Sequence, residues 1–266
     1  MPTEYDAFAD VYDREYGTTT FDIDFYVEEA QAAEGPVLEL ACGTGRVALR
    51  IAQAGIPVAG VDSSQRMLAV AREKEDRLAE SATAAGKPLP VQWVEADMRD
   101  FDLDRRFGLA IIPARSFLHL LDPEDHVEVL TRIYRHLLPG GRLALNFFVP
   151  HLQMMAEHST STGQMLKYRR EFTEPATGLR VSVWESRRYD VHRQRIYQQF
   201  RYEELDEDGN VLSARYRGYT LCYIWPREME HLLVRCGFEI VNLYGWFDRR
   251  PFDERSSEQI WVARRP

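Results

Sequence analysis

Glu39, Gly43 and Gly45 lie in the stretch Val37-Leu38-Glu39-Leu40-Ala41-Cys42-Gly43-Thr44-Gly45-Arg46-Val47, and their spacing suits a ligand seat built from backbone. Glycines one residue apart carry no Cβ and reach positive φ, so the main chain can approach a ligand closely. Such a turn is common to many nucleotide folds, and Ala48 completes the looser G-x-G-x-x-A dinucleotide pattern. Glu39 decides between the ligands. A carboxylate beside a pyrophosphate is unfavourable, whereas beside an ammonium or a sulfonium it is favourable. An unpartnered carboxylate within an apolar strand is also costly, so Glu39 calls for a partner. Further along, Asp62, the pair Asp97-Met98 and the segment Pro113 to His119 each follow an apolar run. His119, an imidazole of ordinary pKa about 6.5, is of a type that can take up a proton near neutral pH. Arg115, His151 and Tyr168 are candidate substrate contacts. No metal is expected: Cys42, Cys222 and Cys236 have no metal-ligand spacing, and Asp122, Asp125 and His126 read as the start of a helix.

The elements that must hold these residues alternate. From Pro36 to Val149 short apolar runs alternate with amphipathic stretches, the pattern of βαβ units around a parallel sheet. Strands are predicted at Val37–Ala41, Val58–Val61, Val91–Glu95, Leu109–Ile112 and Arg142–Phe148. Helices are predicted at Gly45–Ala54 and Gln65–Ala84, the second capped by Ser63 or Ser64. From Met165 to Leu221 the helical period gives way to alternation, with turns at Glu174–Gly178, Asp190–Gln194 and Asp206–Asn210. This predicts a meander of three or four antiparallel strands, rich in Arg, Tyr and Trp, serving as a dimer surface or as a cover over the active site. A helix at Pro226–Cys236 and strands at Phe238–Phe247 and Gln259–Ala263 close the chain. Tyr5, Phe8 and Tyr12 recur at helical spacing, on a face that either packs on the core or closes over a cofactor.

The fold class expected is therefore α/β: a Rossmann-like, doubly wound, mostly parallel sheet of seven strands, with an antiparallel β-meander inserted after the fifth. Residues 1–164 would form an N-terminal lid and the cofactor-binding core, 165–221 the insertion, and 222–266 the completion of the core. With 266 residues, 45% hydrophobic and 28% charged, the chain has the composition of a globular protein. Its net charge of −9 argues against a nucleic-acid or anionic-membrane partner. No apolar run approaches the roughly 20 residues of a membrane helix, and the expected location is the cytoplasm.

Taken together, these motifs resemble the class I S-adenosylmethionine-dependent methyltransferases over nearly the whole chain. The Glu39-x-Ala41-Cys42-Gly43-Thr44-Gly45 segment is similar to that family's first motif, Asp62 to its ribose-binding acid, and Asp97-Met98 to its adenine-reading pair. Leu138-Pro139-Gly140-Gly141-Arg142-Leu143 resembles the family's approach to strand five. The resemblance implies cofactor contacts from Tyr5, Tyr12, Glu39, Ala41, Cys42, Gly43, Gly45, Arg46, Asp62, Ser63, Met67, Asp97, Met98 and Pro113. A narrower likeness, in Pro113-Ala114-Arg115-Ser116-Phe117-Leu118-His119-Leu120, is to small-molecule N-methyltransferases of the amino-sugar type. There a histidine at the position of His119 takes the proton of the acceptor amine. The chain departs from that group at Arg115 and Leu118. The implied activity is methyl transfer from S-adenosyl-L-methionine to an N or O atom of a small molecule, leaving S-adenosyl-L-homocysteine. The rivals are an NAD(P)-linked oxidoreductase on a similar fold and a non-catalytic S-adenosylmethionine-binding protein.

Overall fold

Apart from Glu39, strand β1 (Val37–Leu40) is wholly apolar, and all of it is buried, as a strand covered on both faces requires. The computed structural model describes residues 13, 19–81, 88–158, 165–174 and 177–266. Tyr5, Tyr12 and the helix expected around them lie outside the described residues. Two compact units result, one formed by Met1–Phe117, Asp122–Val149 and Trp225–Pro266, the other by Leu118–Leu121 and Pro150–Ile224.

In the first unit, helix α1 (Ile23–Gln31) precedes β1, and α2 (Ala48–Gln53), β2 (Val58–Asp62), α3 (Gln65–Ser81), β3 (Val91–Glu95) and β4 (Phe107–Ile112) follow it. Next come α4 (Pro123–His136) and β5 (Leu137–Phe148), and the unit closes with α6 (Pro226–Arg235), β10 (Glu239–Tyr244) and β11 (Glu258–Arg264). The seven-stranded sheet runs β10-β11-β5-β4-β1-β2-β3. β1 pairs in parallel with both β2 and β4, while β11 runs antiparallel to β5 and to β10. The order reverses between β1 and β4. This is the topological switch point outside which open α/β sheets bind ligands. Phe25, Tyr26, Val37, Ile51, Leu109, Ile111, Ala144 and Ile260 form the core beneath it.

Local chemistry sets the boundaries. The helix expected from Gly45 begins as regular helix only at Ala48, because Gly45 at φ +74° closes a turn in which its amide bonds Cys42 O at 2.9 Å. Of the two serines before α3, the buried Ser64 caps it, accepting from Met67 N at 3.1 Å, and Ser63 is exposed. The fifth strand starts at Leu137 rather than Arg142. Its glycine turn is stitched to the end of β11, Gly140 N to Arg265 O and Arg265 N to Gly141 O, both 2.8 Å.

The second unit carries α5 (Leu152–His158) and four long strands, β6 (Lys167–Thr173), β7 (Arg180–Asp190), β8 (Arg195–Leu205) and β9 (Val211–Cys222). They form an antiparallel meander in chain order, packed around Val181, Val183, Phe200 and Tyr202. Among the described residues no helix is long and apolar enough to cross a membrane.

Candidate functional site

The loop after β1 winds through three left-handed residues, Ala41 at φ 53°, Gly43 at 54° and Gly45 at 74°. At Ala41, which bears a Cβ, this is strain of the kind that collects at functional turns. The two glycines serve different ends. Among the described residues a Cβ on Gly43 would meet nothing within 4 Å, which leaves room for a ligand on this side of the loop. A Cβ on Gly45 would lie 2.6 Å from Trp93 Cη2 and 3.3 Å from Ala71 and Leu49, so Gly45 packs against the fold instead of facing a ligand. Gly43 N donates to Asp62 Oδ2 at 2.7 Å and Ser64 N to Asp62 Oδ1 at 2.8 Å, and Asp62 thereby ties the ends of β1 and β2 together. Cys42 lies beneath the loop, and burial holds its thiol well above the usual range, hence neutral.

Glu39 is 2% exposed, and among the described residues its Oε2 has no hydrogen-bond partner. Burial pushes its carboxyl up to about 8. Arg46 and the Ala48 amide oppose that rise, and Asp22 and Asp62 add to it. Arg46, expected among the cofactor contacts, spends its fork on Asp22 with two 2.6 Å bonds and gives a third, at 2.9 Å, to Thr19 O. A planar guanidinium on a planar carboxylate is a strong pairing. It fastens the start of α1 to the glycine loop.

Around the ends of β2 and β3, Asp97 is held by Arg99 through Nε at 2.9 Å, Nη2 at 2.7 Å and the amide at 2.8 Å. That grip lowers the Asp97 pKa and keeps it ionised. Arg99 also reaches Asp125 at 3.1 Å. Met98 is half-buried in the turn beside it. Met67, expected to wall an adenine, is 2% exposed and packs into the core. A cluster that sequence reasoning missed braces the loop from the other side. Thr44 Oγ1 donates to Asp13 Oδ1 at 2.6 Å, and Lys74 Nζ lies 3.0 and 3.1 Å from the Asp13 oxygens.

After β4, Pro113 is buried, and the next two residues, Ala114 at φ 56° and Arg115 at 66°, are both left-handed. Arg115 Nε donates to Glu258 Oε1 at 3.0 Å, with Nη2 closing on the same oxygen. Asn146 Nδ2 donates to Glu258 Oε2 at 3.0 Å, and Tyr26 OH to Asn146 Oδ1 at 2.8 Å. Burial, with Asp22 and Glu258 nearby, holds the Tyr26 hydroxyl well above its ordinary pKa, so it remains a donor. Glu258, Asn146 and Tyr26 carried no signal in the sequence, because the network joins residues more than a hundred positions apart.

In the second unit, His119 ends the 3₁₀ turn Ser116–His119. Its ring meets Tyr219 edge-on, with centroids 5.7 Å apart, and burial brings its pKa down to about 4. His151 is exposed and receives Met154 N at 3.2 Å, a helix-start role. Tyr168, 57% exposed on β6, stands edge-on to Trp184. Among the described residues no group of acids, cysteines and histidines could hold a metal ion.

The orphaned buried oxygen of Glu39, the open side of Gly43 and the anchored Asp62 fit a ligand that joins an ammonium to a ribose. Comparison with known proteins agrees. The model of a methyltransferase domain matches residues 37–141. The glycine/sarcosine N-methyltransferase of Halorhodospira halochloris is 30% identical over 225 residues, 84% of this chain and 73% of its own length. The cypemycin N-terminal methyltransferase of a Streptomyces species is 29% identical over 232 residues, 86% of this chain and 82% of its own. Other curated relatives are matched over about half of their length, 53% for a putative methyltransferase of Bacillus subtilis. Among solved structures, the CcbJ methyltransferase from Streptomyces caelestis superposes with a TM-score of 0.79 at 28% identity, covering 99% of this chain and 98% of that one. The chain belongs to the class I S-adenosylmethionine-dependent methyltransferases.

Proposed function

We propose that this enzyme methylates the nitrogen of a small-molecule amine, with His119 as general base. S-adenosylmethionine supplies a methyl group on a sulfonium, open to in-line displacement. On this reading Glu39 accepts from the cofactor's ammonium, the Gly43 backbone lies against its methionine portion, and Asp62 takes the ribose hydroxyls. Asp97 and the Met98 amide attend the adenine.

The acceptor must arrive with a free lone pair. As the N–CH₃ bond forms and the S–CH₃ bond breaks, the nitrogen loses a proton to the His119 imidazole, and the thioether departs neutral. The observation that supports the role of His119 is its place at the end of the 3₁₀ turn that follows β4, at the carboxyl end of the sheet; its lowered pKa keeps the imidazole uncharged at neutral pH. The relative named a glycine/sarcosine N-methyltransferase supports nitrogen over oxygen. Most of the remaining catalysis is orientation and exclusion of water. The test is to incubate the protein with methyl-labelled cofactor and a metabolite extract, then identify labelled products by mass. Label on nitrogen supports the reading, and label confined to oxygen or carbon overturns it.

A further inference from the structure

The loop after β4 invests unusual structure in one side chain. Ala114 and Arg115 are consecutive left-handed residues without being glycines, a backbone state that persists only where the surroundings enforce it. What they present is the Arg115 guanidinium, clamped at one edge by Glu258 and lying 5.6 Å over the Phe148 ring. The clamp itself is internal. The Glu258 side chain is 2% exposed while that of Arg115 is 49% exposed. Behind Glu258, the chain of Asn146 and Tyr26 fixes the carboxylate from β5 and α1. A buried carboxylate is costly unless partnered, and here Asn146, itself held by Tyr26, and the half-exposed Arg115 partner it.

The inner edge of the fork is used and the outer edge is available. Nε and Nη2 serve Glu258, and among the described residues Nη1 makes no hydrogen bond. The loop follows the carboxyl end of β4, beside β1 and its glycine turn at the switch point of the same unit. A guanidinium fixed in plane presents parallel N–H groups that match a planar carboxylate. With Glu258 the pair is close to neutral, which suits a monoanion better than a doubly charged phosphate. We infer that Arg115 is the specificity residue for a carboxylate on the acceptor, so that this enzyme's substrates are amines that carry a carboxylate group. Glu258 is then a positioning residue, acting through Arg115. The inference rests on the proposed methylation of an amine.

The experiment compares matched acceptors. Amino acids and their amides, glycine with glycinamide among them, are offered in pairs with labelled cofactor, and phosphoethanolamine is included as the phosphate counterpart. The carboxylate member is expected to be preferred at least about tenfold in kcat/KM, the low end for hydrogen bonds to a charged group. Arg115→Met should erase that preference, chiefly through a raised KM for the carboxylate member, with S-adenosylhomocysteine binding intact by calorimetry. Arg115→Lys should recover part of it, and Glu258→Gln should weaken it without abolishing cofactor binding. Amides turned over as well as their acids, a preference that survives in Arg115→Met, or a preference for phosphoethanolamine would each overturn the inference while leaving amine methylation standing. Methylation confined to non-amine acceptors would remove the underlying reading and this inference with it.

Discussion

At the scale of single residues, two titratable groups, buried Glu39 and half-buried His119, set opposite expectations for pH. The folded-state pKa of Glu39 is raised from 4.5 to about 8, so without ligand the folded protein holds a proton there that the unfolded chain has released. Its contribution to stability therefore declines as pH rises from about 4.5 to about 8. An entering ammonium favours the ionised form. Cofactor binding should then expel a proton, and affinity should rise from pH 6 toward 8, approaching tenfold per unit at the acid end. Calorimetry of S-adenosylhomocysteine in buffers of different ionisation enthalpy reads the released proton, and Glu39→Gln should abolish both the release and the slope. His119 behaves the other way. Its pKa near 4 leaves it neutral throughout the working range, so kcat/KM should show no acid limb near 6.5 attributable to it. His119→Ala should keep cofactor affinity and lose at least about tenfold in turnover. Unchanged turnover would remove it as the base. The sequence identified both residues by type and position, and the direction of each pKa shift came only from packing.

Among the elements, the glycine turn separates binding from folding. Gly45→Ala forces a Cβ against Trp93 and adopts φ +74°, which should cost about 2–4 kcal/mol from overpacking and left-handed strain together. Thermal denaturation would read this as a lowered Tm. Gly43→Ala meets no clash among the described residues and carries only the left-handed strain of φ +54°, about 1 kcal/mol, so its larger effect is expected in cofactor affinity, measured by titration on a protein that still folds. Spacing alone could not tell these glycines apart, because the difference lies in Trp93, a neighbour supplied by another strand. Strand positions were legible from apolar runs, and β3 matches its expected range. The start of β5 was not, since its glycine turn is held by residues at the far end of the chain.

On the scale of the whole molecule, periodicity was enough for the seven-stranded, mostly parallel sheet and for the antiparallel insertion, which has four strands. It could not disclose that residues 118–121 group with 150–224. Nor could it reveal the Tyr26–Asn146–Glu258 chain, whose partners are 120 and 112 positions apart. Asn146→Ala would strand a buried hydroxyl and one oxygen of a buried carboxylate. It should destabilise the first unit by about 3 kcal/mol, as seen in denaturant titration.

The placement of β11 bears on how the protein is made. β11 is last in sequence among the strands yet internal in the sheet, between β5 and β10. During synthesis the outer edge of β5 stays unpaired until residues 258–264 emerge, leaving an apolar strand edge open to other chains. The same segment delivers Glu258 to Arg115. Until that segment pairs with β5, Arg115 has no clamp behind it, so completing the sheet and fixing this guanidinium are one event.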